Sequence, residues 1–223
     1  MKEKLGKMPL PIVERLSVYL LTLLDIKSEG RGSVSSLELA ERNGFSSAQV
    51  RKDLSCFGTF GKKGTGYDID LLIEKIRGIL GLKRTWRLAL IGLGNLGKAL
   101  ITHKGFTTRA FEFVAIFEKK PSLVGKQYKG IQIYNVENLD KIAKAKRIEI
   151  AVLTIPKEEV AGVYEKVIVA GIPAALNFTP VRLLSKGNTL VKNVNFFQNL
   201  ETLTFYLSNL RKNLLTRRKS FIF

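Results

Sequence analysis

Residues 87–100 read RLALIGLGNLGKAL, and this stretch decides the fold of the larger part of the chain. An apolar run, 88–91, leads into a GLGNLG turn at 92–97, after which a helical pattern begins. GxGxxG alone is a weak signal, but between a strand and a helix it indicates a dinucleotide-binding turn. Gly92 permits the tight turn, Gly94 lets the backbone approach a pyrophosphate, and Gly97 lets the helix pack close to the sheet.

Four further segments with the character of hydrophobic strands follow this turn. They are FEFVAIFE at 111–118, KGIQIYN at 129–135, RIEIAVLTIP at 147–156 and IPAALNFTP at 172–180. A helical stretch at 157–171 separates the last two. Strands that alternate with helices predict a doubly wound parallel sheet, and we therefore expect an α/β Rossmann domain.

Glu118 ends the second predicted strand, 24 residues after Gly94. An acidic residue at this place can accept hydrogen bonds from the ribose hydroxyls of a dinucleotide, which favours NAD over NADP. Lys119 and Lys120 could contact a 2′-phosphate, although Glu118 would repel it. The alternative is that Glu118 is a solvated strand end. The pattern favours NAD(H) as the cofactor.

The N-terminal part has a different pattern. Residues 12–25 have the apolar spacing of a helix, and two short helices are predicted within 35–45 and 46–57. Ser35 or Ser36 can cap the first of these and Ser46 the second, with Asn43-Gly44 as a stop between them. A glycine-rich basic hairpin at 57–69 and a fourth helix at 69–80 complete a winged helix-turn-helix.

The third of these helices carries side chains that suit DNA. Gln49 can recognise adenine and Arg51 guanine in the major groove, while Lys52 can hold a phosphate. The alternative is an ordinary exposed helix face, but the position after a turn and before a basic wing favours DNA. The predicted DNA-binding residues are Ser46, Ser47, Gln49, Arg51, Lys52, Lys62 and Lys63.

Charge and composition set limits on the kind of protein. The net charge is +18, with +5 in residues 1–84 and +13 in 85–223, so polyanions are the expected partners, although a solvated lysine-rich surface would also account for the surplus. No apolar stretch is long enough to span a membrane and no secretory signal is recognisable, so no membrane association is expected. With Cys56 as the one cysteine, these features predict a cytoplasmic protein.

Signals for catalysis or metal binding are poor. His103 is the one histidine, and neither a nucleophile–base arrangement nor a metal-ligand spacing is recognisable. Cys56 is expected to be a small buried residue under the wing. We therefore predict no catalytic and no metal-binding residues. A small NAD-dependent oxidoreductase with an accessory helical domain is the alternative that the Rossmann pattern leaves open.

The last segment, 195–215, has apolar residues at steps of three and four and predicts an amphipathic helix. A long apolar helix after a complete α/β domain needs a surface to cover, and a partner subunit is the natural candidate. We therefore expect three parts: a winged-helix DNA-binding domain at 1–84, a Rossmann NAD(H)-binding domain at 85–194, and a dimerisation helix with a basic tail at 195–223.

Several of these segments together resemble the Rex family of redox-sensing transcriptional repressors. They are QVRKDLSCFGTFGKKGTGYD at 49–68, LALIGLGNLGKAL at 88–100, LTIP at 153–156 and LNFTPVRL at 176–183. The resemblance implies a homodimer with a winged helix, a Rossmann domain and a last helix swapped onto the partner subunit. It also implies binding to an inverted-repeat operator in double-stranded DNA, release by NADH, and hence sensing of the NADH/NAD ratio.

The resemblance extends the candidate cofactor site beyond the glycine turn. It places the pyrophosphate on the turn and the adenosine ribose at Glu118. It also implies that Thr154 and Pro156 line the cleft after the fourth strand, and that the loop after the fifth strand lies near the nicotinamide. The resulting set is Gly92, Leu93, Gly94, Asn95, Leu96, Gly97, Glu118, Lys119, Thr154, Pro156, Asn177, Phe178, Thr179 and Pro180.

Five positions depart from the family pattern. Tyrosine is frequent where Cys56 stands and aspartate where Glu118 stands, and the second change keeps the chemistry. Three others concern redox sensing: Leu21 stands where a basic residue is common, His103 where tyrosine is common, and Asn195 where aspartate is usual. Leu21 and Asn195 cannot form a salt bridge, so a Rex-like DNA-binding protein with a lost or altered nucleotide response is the second alternative.

Overall fold

The computed structural model describes residues 10–58, 61–62, 66–103 and 105–219, and for residues 61–62, 107–108 and 211–219 it describes the backbone alone. The chain divides into two compact units, Met1–Arg84 and Thr85–Phe223. None of the helices formed by the described residues combines the length and the apolar character that a bilayer crossing requires.

The first unit is a winged helix-turn-helix, as predicted. Its helices are α1 (Leu10–Ser28), α2 (Ser36–Asn43), α3 (Ser47–Ser55) and α4 (Ile69–Ile79). Its strands are β1 (Ser33–Val34), β2 (Gly61–Lys62) and β3 (Gly66–Asp68), antiparallel in the order β1-β3-β2. The strand β1 lies between the first and second predicted helices, where the sequence pattern predicts no strand.

Local capping explains where the two helices of the helix-turn-helix begin and end. The Oγ atoms of Ser35 and Ser46 accept hydrogen bonds from the backbone N–H groups of Glu38 and Gln49, at 3.0 and 3.1 Å. Gly44 ends α2 with a φ of +69°, a left-handed conformation that glycine adopts without a Cβ penalty. The turn between α2 and α3 is therefore specified by short-range hydrogen bonds.

One apolar core holds the first unit together, and all four helices contribute to it. Burial of such side chains contributes about 1.5–3 kcal/mol each relative to exposure. The fully or almost fully buried members with the largest side chains are Leu16, Tyr19, Leu23, Ile26, Leu39, Leu54, Ile69, Leu72 and Ile76.

The second unit is an α/β domain. Its strands are β4 (Trp86–Ile91), β5 (Phe111–Glu118), β6 (Gln127–Tyr128), β7 (Ile131–Asn135), β8 (Ile150–Leu153), β9 (Ala174–Asn177) and β10 (Leu190–Asn193). Its helices are α5 (Asn95–Thr102), α6 (Gly105–Thr108), α7 (Leu139–Lys146), α8 (Val160–Val169) and α9 (Phe196–Lys219). Short 3₁₀ turns, Val136–Asn138 and Lys157–Glu159, precede α7 and α8.

The sheet has the strand order of a Rossmann fold. The order is β10-β9-β8-β4-β5-β7-β6, and every neighbouring pair except β6–β7 is parallel. The six parallel strands, numbered 1 to 6 by their order in the chain, are β4, β5, β7, β8, β9 and β10. Across the sheet from β7 to β10, their order is 3-2-1-4-5-6. The direction of winding reverses between β4 and β8. The crevice beyond the carboxyl ends of these two strands is therefore the expected place for a ligand.

The apolar run of β4 is continuous because both faces of the sheet are covered. Ala89 and Ile91 belong to the apolar cluster on one face, and Leu88 and Leu90 belong to the cluster on the other. Consecutive side chains of a strand point to opposite faces, so a strand in the middle of such a sheet has no solvent side.

Candidate functional site

The glycine turn lies between β4 and α5 at the point where the sheet changes direction. Gly92 has a φ of +96°, and a Cβ atom there would lie 2.7 Å from Ile155 Cγ2 and 2.8 Å from the carbonyl oxygen of Thr154. Glycine at 92 is therefore required by both conformation and space. The turn presses against the end of β8, as expected for a dinucleotide-binding crevice.

Gly94 and Gly97 have opposite surroundings. A Cβ atom on Gly94 would meet nothing within 4 Å, whereas Gly97 is buried and a Cβ atom there would collide with Leu90, Thr154 and the carbonyl oxygen of Gly92. Gly94 precedes α5 and provides no side-chain cap to it. The backbone N–H groups of the first turn of α5 thus face open space, which suits a phosphate anion.

Thr154 fastens the glycine turn to β8. Its backbone N–H donates to the carbonyl oxygen of Ile91 at 2.9 Å, and its Oγ1 donates to the carbonyl oxygen of Gly92 at 2.7 Å. The hydroxyl therefore has a structural partner, and the side chain holds the turn in place beside the crevice.

Glu118 lies at the carboxyl end of β5, next to the same turn. Its Oε2 accepts the backbone N–H of Leu93 at 2.8 Å, and its Oε1 accepts those of Lys119 at 2.8 Å and Lys120 at 3.2 Å. Each carboxylate oxygen has two lone pairs, so Oε2 keeps one for a further donor. The backbone thus fixes the carboxylate at the edge of the crevice.

These residues enclose one cleft of about 790 Å³ beyond the ends of β4, β5 and β8. This volume lies within the range of about 300–1,000 Å³ that ligand pockets occupy. The cleft brings together nine residues predicted from the sequence: Gly92, Leu93, Gly94, Asn95, Leu96, Glu118, Lys119, Thr154 and Pro156. Gly97 supports the cleft from beneath and does not line it.

Four lining residues were not among the predicted cofactor residues: Lys120, Pro121, Ile155 and Glu159. Lys120 and Ile155 directly follow predicted lining residues, so their position along the chain was a usable signal. Glu159 lies in the 3₁₀ turn after β8, and its Oε1 is 3.9 Å from the Nζ atom of Lys119. This weak pair connects the two sides of the cleft opening.

The loop after β9 does not line this cleft. Asn177 is buried: its Oδ1 accepts the N–H and hydroxyl of Thr179, and its Nδ2 donates to Val181 O and Asn193 Oδ1. The Phe178 ring stacks on that of Phe196, at 6.2 Å between centroids, and Pro180 is exposed. The loop thereby contacts the end of β10 and the first residue of α9.

The helix α3 has one buried face and one exposed face. Val50, Asp53 and Leu54 are buried, whereas Arg51 and Lys52 are exposed. Arg51 donates to Ser36 Oγ at 3.1 Å. An exposed basic face on the second helix of a helix-turn-helix is what major-groove binding requires.

Asp53 is a buried carboxylate at the centre of a four-residue cluster. Arg15 donates to both of its oxygens, at 2.6 and 2.8 Å, the Tyr19 hydroxyl donates at 2.9 Å, and Gln49 Nε2 donates at 2.6 Å. Burial raises the pKa of Asp53, but the hydrogen bonds from Arg15, Tyr19 and Gln49 outweigh it, and the pKa is lowered. The cluster joins α3 to α1.

The remaining predicted DNA contacts are placed as follows. Ser46 caps α3 and Ser47 is half-buried in its first turn. Lys62 lies on β2, where the backbone alone is described, and Lys63 lies outside the described residues. The prediction for Cys56 is wrong: the thiol is exposed, because the residue follows the last turn of α3, and its Sγ donates to the carbonyl oxygen of Lys52.

The three positions that depart from the family pattern of redox sensing lie at surfaces. Leu21 is 36% exposed on α1. His103 is exposed at the end of α5, and its Nδ1 accepts the backbone N–H of Gly105 at 3.0 Å. Asn195 caps α9, since its Oδ1 accepts the N–H groups of Phe197 and Gln198 at 3.0 and 3.2 Å.

Two family models match the chain. One described as "CoA binding domain" matches residues 83–181, and one described as "Putative DNA-binding protein N-terminus" matches residues 7–55. The two matches fall on the α/β unit and on the winged-helix unit.

Curated relatives match almost the whole chain. Redox-sensing transcriptional repressors Rex from Desulfitobacterium hafniense and Syntrophobacter fumaroxidans are 40% and 38% identical, over 92% of this chain and 98% of each relative. The repressor Rex 1 of Thermotoga maritima is 38% identical, over 89% of this chain and 95% of the relative.

Solved structures agree. RSP, a Rex-family repressor, in complex with β-NAD⁺ and operator DNA has a TM-score of 0.86 and 31% identity, covering 94% of this chain and 97% of that one. RSP in complex with β-NADH has a TM-score of 0.84 and 30% identity, covering 93% and 99%. The extent of these matches, together with the winged helix and the Rossmann cleft, establishes that the chain belongs to the Rex family of redox-sensing transcriptional repressors.

Proposed function

We propose that this Rex-family repressor is a homodimer that binds an inverted-repeat operator, is released by NADH, and acts as a regulator without catalysing a reaction. The observation that carries the proposal is the cleft at the switch point, where bare glycine backbone and the Glu118 carboxylate face one space. The RSP structures support it, since their ligands are β-NAD⁺ with operator DNA and β-NADH. We expect such a repressor to work in the cytoplasm.

The residues of the cleft fit a dinucleotide. Open space at Gly94 allows a pyrophosphate to approach the backbone, and the first turn of α5 supplies N–H donors for it. The free lone pair of Glu118 Oε2 suits a ribose hydroxyl. When bound, the nicotinamide would supply the redox state that the repressor senses, and the protein would hold it in place.

The charge at the adenosine end favours NAD(H) over NADP(H). The Glu118 carboxylate would repel a 2′-phosphate, and the nearby Lys119 lies within 3.9 Å of Glu159, which reduces its pull on an added phosphate. Lys120 also lines the cleft and would oppose this preference. We therefore propose weak binding of NADPH.

The helix α9 supports the homodimer. Its large apolar residues are between 54% and 70% exposed within the described chain. Monomeric proteins rarely expose an apolar patch of this extent. The members of this apolar surface are Phe196, Phe197, Leu200, Leu203, Phe205, Tyr206, Leu207 and Leu210. A second copy of the chain that covers them would form an obligate, largely apolar interface.

The second candidate is a Rex-like repressor with an altered nucleotide response. One observation favours it: Asn195 Oδ1 is occupied by the α9 cap, and Leu21 carries no charge, so these two positions cannot make an ion pair. A coenzyme shifts a repressor only by its differential affinity for two states. The loss of an ion pair that is present in one state alone would reduce the difference in coenzyme affinity between the two states.

Reciprocal linkage tests the proposal. NADH affinity would be measured by calorimetry with the free protein and again with saturating operator. If NADH releases DNA, operator must weaken NADH binding by the same factor by which NADH weakens operator binding. Equal NADH affinities with and without operator, with both ligands bound, would favour the second candidate. Failure of NADH to bind at all would overturn the cofactor assignment.

A further inference from the structure

The cluster around Asp53 fixes more than the contact between two helices. Asp53 is 0% exposed, and each of its carboxylate oxygens accepts two hydrogen bonds. Oδ2 accepts from Arg15 Nε and the Tyr19 hydroxyl, and Oδ1 accepts from Arg15 Nη2 and Gln49 Nε2. All four lone-pair positions of the carboxylate are therefore filled.

The cluster leaves Gln49 no choice of amide orientation. An ionised carboxylate accepts hydrogen bonds and cannot donate one, so the amino end of the Gln49 amide must face Asp53. Arg15 keeps Asp53 ionised, in line with the lowered pKa of this carboxyl group. Gln49 Oε1 is then the end turned away from Asp53, and it accepts no hydrogen bond from another described residue.

The backbone of Gln49 is fixed as well. Its N–H donates to the capping hydroxyl of Ser46, and the buried Val50 and Leu54 hold α3 against the core. Gln49 itself is half-buried, and the exposed Lys52 lies about one helical turn after it. The side chain is therefore ordered before any ligand arrives, and its acceptor Oε1 stays available to a ligand.

We propose that Asp53 is a positioning residue for sequence recognition: by holding Gln49 Nε2, it makes Gln49 select adenine and reject guanine at one operator position. The inference rests on the proposed role of α3 in binding operator DNA. Adenine offers an amino donor for Oε1 and an N7 acceptor for the second Nε2 hydrogen. Guanine offers two acceptors, N7 and O6, and an oxygen held toward them is repelled.

The first experiment selects the operator from a randomised inverted-repeat DNA library with the wild-type chain and then scans each base pair. Gln49→Ala identifies the position that Gln49 recognises. Asp53→Asn can present an amide nitrogen to Gln49 and so allow the amide to flip. We expect it to lose the adenine-over-guanine preference at that same position by about 5- to 100-fold. Preferences at the other positions should stay.

Two control variants separate this role from simple anchoring. Tyr19→Phe removes the hydrogen bond to Oδ2 and leaves Oδ1 with Gln49, so the preference should stay. Asp70→Asn removes a carboxylate from an exposed pair with Lys27 and should also change nothing. If Asp53→Asn keeps the preference, or weakens every position evenly, the positioning role is wrong.

A second measurement does not depend on the folding of Asp53→Asn. At the position identified by Gln49→Ala, adenine is replaced by purine, which lacks the 6-amino group. Wild-type binding should weaken by about 5- to 100-fold, and Gln49→Ala binding should not change. No effect on the wild type would overturn the proposal. If Gln49→Ala alters no position while operator binding persists, Gln49 is not a recognition residue, although the repressor assignment stands.

Discussion

At the scale of single residues, two glycines of one turn have different tasks. Gly94 borders open space in the cleft, whereas a Cβ atom on Gly97 would lie 2.9 Å from Leu90 Cδ2 and closer still to the carbonyl oxygen of Gly92. The first glycine leaves room for a ligand, and the second lets α5 pack against β4. Substitution by alanine should therefore separate binding from folding.

For Gly94→Ala we expect normal folding and weak coenzyme binding. Gly94 has a φ of −79°, which alanine adopts without strain, so the melting temperature should match that of the wild type. The added methyl group occupies the space that a pyrophosphate needs, so NADH affinity should fall about tenfold or more. Fluorescence titration of NADH checks this, and unchanged affinity would place the pyrophosphate elsewhere.

The matched variant, Gly97→Ala, should instead lower the stability of the fold. Overpacking between α5, β4 and Thr154 should lower the free energy of unfolding by about 1–3 kcal/mol. Urea denaturation gives the value directly. A stability equal to that of the wild type would mean that Gly97 has room in solution that the structure does not have.

The pKa of Asp53 gives a pH dependence of stability with a definite sign. The folded pKa lies below the ordinary value of 3.8, so the unfolded chain binds the proton more readily. The stabilisation is complete above pH 3.8 and is lost as the pH falls through the folded pKa. Urea denaturation of the wild type and of Asp70→Asn should show this loss. Asp53→Asn should show a smaller loss of stability. If the free energy of unfolding changes equally with pH in all three proteins, Asp53 is not the source of this pH dependence.

At the scale of elements, α9 has an apolar stripe that the rest of the described chain leaves exposed. Leu200, Leu203, Leu207 and Leu210 form a stripe with steps of three and four, yet each is more than half exposed. The helix is well anchored at its start by the Asn195 cap and by Phe196 on Phe178. We therefore expect the stripe to be covered by a second copy.

A charge placed in the stripe should disrupt the dimer. Leu203→Glu puts a carboxylate among apolar side chains that a partner would bury, which is unfavourable unless the charge is paired. Sedimentation velocity should show a monomer or a much weaker dimer. Ser208→Glu adds the same charge to an exposed polar position of α9 outside the stripe and should leave the dimer intact. Identical behaviour of the two variants would mean that the stripe is not the interface.

Strong local signals predicted most of the elements correctly. The caps at Ser35 and Ser46, the stop at Gly44 and the strand–glycine–helix run at 87–100 depend on neighbouring residues, and the structure confirms them. The strands β1, β6 and β10 were not predicted. Each has two to four residues, which is too short for a periodic pattern, and each forms because a partner strand lies beside it.

The candidate site was predictable to the extent that it is local. The glycine turn and Glu118 follow from position relative to two strands, and the structure brings them into one cleft. Glu159 reaches that cleft only because β8 lies next to β4 across the sheet. Two of the three side chains that donate to Asp53 are Arg15 and Tyr19, which are 38 and 34 residues away in sequence, and no local pattern connects them to it.

At the scale of the whole molecule, charge and coenzyme act on DNA binding in different ways. The surplus of +18 attracts DNA of any sequence, and this attraction weakens steeply with salt because counterions are released. A redox response needs more: the coenzyme must favour one arrangement of the repressor over another. Only a comparison at fixed salt between coenzyme forms distinguishes these contributions.

The most direct test is fluorescence anisotropy of a labelled operator, selected as described above, bound to the full chain at fixed salt. NADH, NAD⁺ and NADPH are titrated in turn, with Gly94→Ala as the control that should bind operator and need about tenfold more NADH, or higher, for release. We expect NADH to release the operator at lower concentration than the other two nucleotides. If the wild type binds the operator and none of the three displaces it, the redox switch proposed for this chain is contradicted.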